Sequence, residues 1–344
     1  LVEAISGANA EIHQKGQVNL SFYNMGTTCS TLLLLPQGAM VGHVGDSRVY
    51  RFRANKLEQL TFDHSLVWEM GHREGESTES VSAIPKNVIT RSLGPQPTVK
   101  VDVEGPFPFE LGDTFLLCSD GLTGRVEDHE IASALSALPP ALAIELLSDL
   151  ANLRGGPDNI TILIAKVLPG ADTSKLQRSD PLVVSESRSP TPGSPLTFVM
   201  WILLGLCLLL GGVSYAMGQT FWFWVLLGVG VMPGLFILID FLRTMDTGGV
   251  TLSGGRRLGE GPYSDTAAAP IGEFANHMRD AIRTSRQAAE EKGWPVDWSE
   301  FERTMTAADQ LLAAGEARQG LEQLVSASRF LVKQCQLYMR PQAV

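Results

Sequence analysis

The sequence predicts an α+β protein with largely antiparallel sheets, followed by two long apolar helices and a helical tail. Three observations lead there. Between about Asn19 and Val167, short apolar runs of strand length are separated by Gly, Pro and Asp: TLLLLP (Thr31 to Pro36), AMVGHVG (Ala39 to Gly45), SRVYRFR (Ser47 to Arg53), DTFLLCS (Asp113 to Ser119) and NITILIAKV (Asn159 to Val167). Helical spacing appears instead in LVEAISGANAEIHQKG at the start and in ALAIELLSDLANL (Ala141 to Leu153). Strands dominate and do not alternate regularly with helices, which disfavours a doubly wound fold.

At 344 residues the chain has room for one good-sized domain and a second module. Its formal charge of -10, with no basic stripe, excludes a nucleic-acid role. Cys29, Cys118, Cys207 and Cys335 lie far apart with no Cys-x-x-Cys pair, so neither a disulfide framework nor a zinc knuckle is expected, as in a reducing compartment. The chain opens on Leu1 with neither a charge cluster nor a cleavage site, which reads as a fragment whose beginning lies upstream.

Residues 169–195 are rich in Ser, Pro and charge and read as a disordered linker. Leu196 to Met217 contains no charged residue and as a helix would reach roughly 33 Å, enough to cross a bilayer's hydrocarbon. A second apolar run, Phe221 to Leu242, follows at once, with Phe221, Trp222, Phe223 and Trp224 where an interfacial belt belongs and Asp240 near its end. A transmembrane hairpin over 196–242 is therefore expected. The basic flanks, Lys175, Arg178 and Arg188 before it and Arg243, Arg256 and Arg257 after it, predict a multi-pass inner-membrane protein with both termini cytoplasmic.

Residues 243–270 read as a glycine-rich linker, and 271–340 as a small helical domain of three helices. Pro295 breaks the first, Asp297 with Glu300 three residues on marks an N-cap, and Ala314-Gly315 separates the last two. Leu311, Leu312, Leu321, Leu324, Phe330 and Leu331 suggest a packed hairpin, suited to self-packing, oligomerisation or peptide binding.

Three carboxylates stand at the ends of apolar runs, where a charge is costly unless something compensates its desolvation. Asp120 closes FLLCSD, Asp46 sits in the turn of GHVGDSRVY, and Asp158 precedes the last strand of the 1–168 segment in RGGPDNITILIA. An Asp before Gly or Asn is often a turn residue bonded to its own backbone. Three of them at converging strand ends also suit a hard divalent cation, which takes carboxylate oxygens and retained waters.

The motifs MGTTCSTLLL, VGHVGDSRVYRFR, QLTFDHSLV, VITRSLG, LGDTFLLCSDGLTGRVEDHEI and GGPDNITILIAKV occur in register over residues 1–168. This segment resembles the PPM-type, metal-dependent serine/threonine phosphatases, the type-2C protein phosphatase family, in its bacterial form. The resemblance implies an antiparallel β-sandwich flanked by helices and a centre of two or three Mn2+ or Mg2+ ions. It implies that Asp120 and Asp158 bind the core pair and Asp46 a further ion, with no catalytic residue separate from the metal ligands. Gly121, Gly155, Gly156 and Asn159 would then be supporting turns that bring backbone close to the metals.

The chemistry so implied is attack by a water held at the metals on phosphoserine or phosphothreonine in proteins, with a serine/threonine kinase as functional counterpart. No phosphoenzyme is expected: no Cys-x5-Arg loop is present, and Cys29 and Cys118 read as packing residues. Arg48 and Arg91 read as structural ion-pair partners, His43 as a packing residue, His64 has no assigned role, and 63–87 matches the family's variable flap. The family's opening strand, with an arginine and an acidic pair, and its Asp-Gly-x-Gly-Gly motif do not occur in this sequence. With Asp120 and Asp158 alone, weak metal binding and little catalysis are expected, and missing strands would leave apolar sheet edges exposed. A second reading is a non-catalytic scaffold, a membrane-anchored pseudophosphatase that binds a phosphoprotein.

Overall fold

The computed structural model describes residues 1–35, 37–71, 88–156, 158–168, 182–184, 195–221, 224–225, 229, 250–252 and 258–339. The chain divides into two compact units, Leu1–Ser179 with Arg257–Val344, and Asp180–Arg256.

The first unit opens with helix α1 (Val2–Val18). Antiparallel strands β1 (Cys29–Leu35), β2 (Gly38–Val44) and β5 (Asp102–Phe107) make a three-stranded sheet in the order β1-β2-β5. The other sheet is five-stranded: β3 (Arg48–Arg53), β4 (Lys56–Gln59), β6 (Thr114–Cys118), β7 (Ile162–Lys166) and β10 (Ser264–Ala267), in the order β10-β4-β3-β6-β7. Helices α2 (Leu66–Gly71), α3 (Asp120–Thr123), α4 (Asp128–Ala137) and α5 (Pro140–Leu153) lie between these strands in sequence. The five runs expected as strands and the helix at Ala141 to Leu153 all appear, within a few residues of their expected ends.

Side chains alternate faces along a strand, and β6 shows what that does here. Phe115 and Leu117 face an inter-sheet core with Ala39, Val41, Val49, Leu60 and Phe107, whereas Leu116 and Cys118 join a second core beneath the helices. A strand covered on both faces reads as an unbroken apolar run, which is the reason FLLC shows no polar alternation. Strands β1 and β7 are outermost in their sheets, with Leu33, Leu34 and Leu163 exposed.

Strands β4, β5 and β10 were not foreseen. Each is short and carries charged or small residues; β4 and β5 are held by backbone pairing to β3 and β2, and β10 in turn by β4. β10 lies within the segment expected as a linker over 243–270. It pairs antiparallel with β4, Ser264 opposite Gln59 through Ala267 opposite Lys56, and so covers an edge that would otherwise present open N–H and C=O groups. Just before it, Leu258 and Gly105 exchange backbone hydrogen bonds, which ties the same segment to β5 in the other sheet.

Three helices follow: α7 (Ile271–Glu291), α8 (Ser299–Ala313) and α9 (Ala317–Met339). Ala314-Gly315 separates the last two as expected, with Gly315 at φ +82°. The N-cap of α8 is Trp298 rather than Asp297, whose carboxylate accepts from the Ser299 N–H. Where the sequence suggests a helical domain of its own, Phe274, Met278, Phe301, Leu321, Leu324 and Leu331 share one continuous core with Leu146, Leu147 and Leu150 of α5. Ser328 of α9 donates to the Asp149 carboxylate of α5 at 3.0 Å.

The second unit contains a two-stranded antiparallel ladder, β8 (Leu182–Val184) with β9 (Val250–Leu252), and helix α6 (Pro195–Ala216). β8 falls within the segment expected as a disordered linker. The expected membrane hairpin is overturned: among the described residues no helix is long and apolar enough to cross a membrane. The second expected span lies almost wholly outside the described residues. With no helix among the described residues long and apolar enough to span a bilayer, the expected multi-pass inner-membrane location is not supported.

Candidate active site

Strand register gathers the three aspartates at one end of the five-stranded sheet. Arg48 of β3 pairs with Cys118 of β6, which pairs in turn with Ile162 of β7. Because neighbours run antiparallel, the start of β3, the end of β6 and the start of β7 share that end. Asp46 lies just before β3, Asp120 just after β6, and Asp158 in the loop that enters β7.

Each turn is built for close approach. Gly45 has φ +120°, and a Cβ there would come within 2.4 Å of the Thr28 methyl. Gly121 needs no unusual φ, but a Cβ would meet the Asn159 carbonyl oxygen at 2.4 Å, so the β6 and β7 loops touch at this point. Ser119 stitches the same two loops: its hydroxyl donates to the Asn159 carbonyl at 3.1 Å and accepts from the Thr161 N–H at 3.0 Å. Gly155 and Gly156 both lie in the left-handed region, as expected of turn formers. Asp158 is exposed and accepts from its neighbour's N–H, Asn159, at 2.7 Å.

Electrostatics sets Asp46 apart. Burial pushes its carboxyl up to about 6, and the nearby Asp120 charge adds to the rise. No ion pair to Asp46 or Asp120 is formed by a cationic side chain among the described residues. Arg48 is committed elsewhere: it binds Asp63 through Nε at 2.8 Å and Nη2 at 2.7 Å, and approaches Asp128 at 3.5 Å. Tyr50 completes that network by donating to Asp128 at 2.8 Å. The structural role expected for Arg48 is what its geometry provides, and Arg91 likewise pairs with Asp102 at 2.8 Å. Burial pushes the Cys118 thiol up to about 12 and raises that of Cys29 as well, so neither supplies a thiolate nucleophile.

The donor chemistry fits a hard divalent cation, since the ligands are oxygen-only and Asp46 and Asp120 have no ion-pair partner among the described residues. The set is not closed: among the described residues no group of three or more His, Cys, Asp or Glu side chains is arranged to hold a metal.

Asp63 and His64 belong with this site, although their sequence context assigns no role to His64 and places Asp63 in a flap. Both are buried. Asp63 accepts from Arg48 and from Gln59 at 2.9 Å, while His64 bonds to Gly45 and Asp102. Their signal in the sequence is their place in the QLTFDHSLV motif, which says nothing of a partner across the fold. The rest of the expected flap, 72–87, lies outside the described residues.

No family model matches the chain. Among curated proteins, the protein phosphatase PhpP of Streptococcus pneumoniae is 38% identical over 161 residues, covering 46% of this chain and 65% of PhpP. The serine/threonine phosphatase stp of Listeria monocytogenes is 38% identical over 169 residues, 48% of this chain and 66% of stp. A 2C-type protein phosphatase sequence of Streptococcus pyogenes is 38% identical over 167 residues, 48% of this chain and 67% of its own length. This chain belongs to the PPM-type serine/threonine phosphatase family. It spans about two thirds of the length of these phosphatases. Among solved structures, the serine/threonine phosphatase of S. agalactiae is 34% identical, with 48% of this chain and 69% of that one covered and a TM-score of 0.45. The catalytic domain of the phosphatase PstP, solved with two manganese ions, is 29% identical, with coverage of 49% and 72% and a TM-score of 0.42.

Proposed function

We propose that this chain carries a metal-dependent protein phosphatase activity that hydrolyses phosphoserine and phosphothreonine in proteins. The reading rests on 38% identity to named protein phosphatases across the segment that bears Asp46, Asp120 and Asp158. Asp120, Asp158 and Asp46 would hold Mn2+ or Mg2+, two or three ions in all. Bound there, such ions supply a nucleophile from water near neutral pH and neutralise phosphoryl charge.

The chain's own residues prepare that end of the sheet. Asp46 and Asp120 supply carboxylates with no ion-pair partner among the described residues, and Gly45 and Gly121 let backbone approach closely. Arg48, held by Asp63, keeps the base of β3 in place and is unavailable as a phosphate clamp. Cys118, its thiol held protonated by burial, is no nucleophile, and direct displacement by water without a covalent phosphoenzyme is the reaction class on this reading. Phosphoproteins are the substrates on this reading, and the kinase that phosphorylates them its functional counterpart.

The second reading, a non-catalytic scaffold that binds a phosphoprotein, is favoured by the lack of a three-ligand cluster among the described residues. A phosphopeptide hydrolysis assay of the 344-residue chain with and without Mn2+ separates the two. Slow manganese-dependent phosphate release, in keeping with the metal ligands this sequence lacks, and abolished by Asp120→Asn with the fold intact by circular dichroism, is the expected result. Release that is absent, or unchanged in Asp120→Asn, discards the enzymatic reading of this site.

A further inference from the structure

Asp46 is gripped from both sides by two consecutive residues. Asp63 holds Arg48, two positions after Asp46, and His64 holds Gly45, one position before it. The His64 grip is double. Its Nδ1 accepts the Gly45 N–H at 2.9 Å, and its backbone N–H donates to the Gly45 carbonyl at 2.8 Å.

An imidazole nitrogen that accepts an N–H carries no proton, so the proton of neutral His64 is on Nε2. That nitrogen donates to Asp102 Oδ2 at 2.8 Å, while Asp102 Oδ1 accepts from Arg91 at 2.8 Å. His64 is fully buried, and the ring of His43 stacks on it with centroids 4.8 Å apart, which fixes its plane. Arg91, Asp102 and His64 thus form a relay of hydrogen bonds from the surface of β5 to the turn that aims Asp46.

We propose that His64 is a positioning residue, locked by Asp102 and Arg91, that sets the Gly45-Asp46 turn and thereby the reach of Asp46 toward a bound divalent cation. This rests on the metal-holding role of Asp46 given above. Partners that orient a ligand typically matter about 10- to 100-fold in metal affinity or activity.

Two variants divide the relay. His64→Asn places an amide oxygen near the Nδ1 position and keeps an acceptor for Gly45, whereas His64→Gln reaches Asp102 and gives that acceptor up. Mn2+ binding to the full chain is followed by water-proton relaxation, Gly45 amide exchange by NMR, and melting temperature by circular dichroism. In His64→Gln we expect Mn2+ binding about 10-fold weaker and a Gly45 amide that exchanges faster. In His64→Asn we expect both losses to be smaller than in His64→Gln, and in each variant a lower melting temperature, since each gives up one hydrogen bond of a buried ring. Wild-type Mn2+ binding in His64→Gln, or equal losses in both variants, overturns the positioning role. Asp120→Asn run alongside keeps the two ideas apart: if it binds Mn2+ as tightly as the wild type, the metal reading fails, and Gly45 exchange alone still reports on the clamp.

Discussion

Replacing Asp149 by Asn tests how the C-terminal helices are joined to the rest of the first unit. Asp149 projects from α5 toward α9, and burial pushes its carboxyl up to about 6, a rise that the hydrogen bond from Ser328 only partly offsets. In the unfolded chain the group titrates near its ordinary value of 3.8. Between those values the folded protein keeps a proton that the unfolded chain has lost. Stability from this site is therefore complete below pH ~4 and declines as pH rises through about 6.

Full conversion of the shift would be about 3 kcal/mol, and discounting for partial solvent access leaves about 1.5 kcal/mol. Asparagine has the same shape, is neutral at every pH, and still offers an oxygen to the Ser328 hydroxyl. Asp149→Asn should accordingly match the wild type at pH 4 and melt a few degrees higher at pH 8, on the order of 3–6 °C for a unit of this size. Circular dichroism melts at pH 4, 5, 6, 7 and 8 read this directly. Equal melting temperatures at all five, or a variant less stable at pH 8, would show that the α5–α9 contact does not bury this carboxylate.

Two further outcomes test other parts of the fold. Asp102 behaves in the opposite sense: burial raises its carboxyl, but the His64 hydrogen bond and the Arg91 charge outweigh this and hold it at about 2. Its contribution is present above pH ~4 and lost as pH falls toward 2, so Asp102→Ala should cost about 1–3 kcal/mol at pH 7 with the gap closing in acid, measured by urea unfolding. Phe115, fully buried between the sheets, should cost about 3–5 kcal/mol as Phe115→Ala in the same assay; a loss under 1 kcal/mol would contradict the inter-sheet core.

The apolar runs of β1, β2, β3, β6 and β7 were legible because local composition matches what those strands do, which is to bury both faces or line a core. The order of Asp46, Asp120 and Asp158 along the chain was equally visible, as was the turn chemistry of Gly155 and Gly156. FDHS is different. His64 lies 19 positions from Gly45 and 38 from Asp102, and nothing in the letters around it signals either bond.

Taken alone, the sequence determined the α+β class, the main strands and the three carboxylates at their ends, because each depends on a short window of side chains. Only the tertiary structure decided that SDTA completes a sheet, that the last three helices share a core with α5, and that Asp63 and His64 hold the two sides of Asp46. A polar strand is stabilised by a partner's backbone, and a buried His by groups brought to it from other elements. Such stabilisation exists only once the distant segments have met, so no local pattern records it.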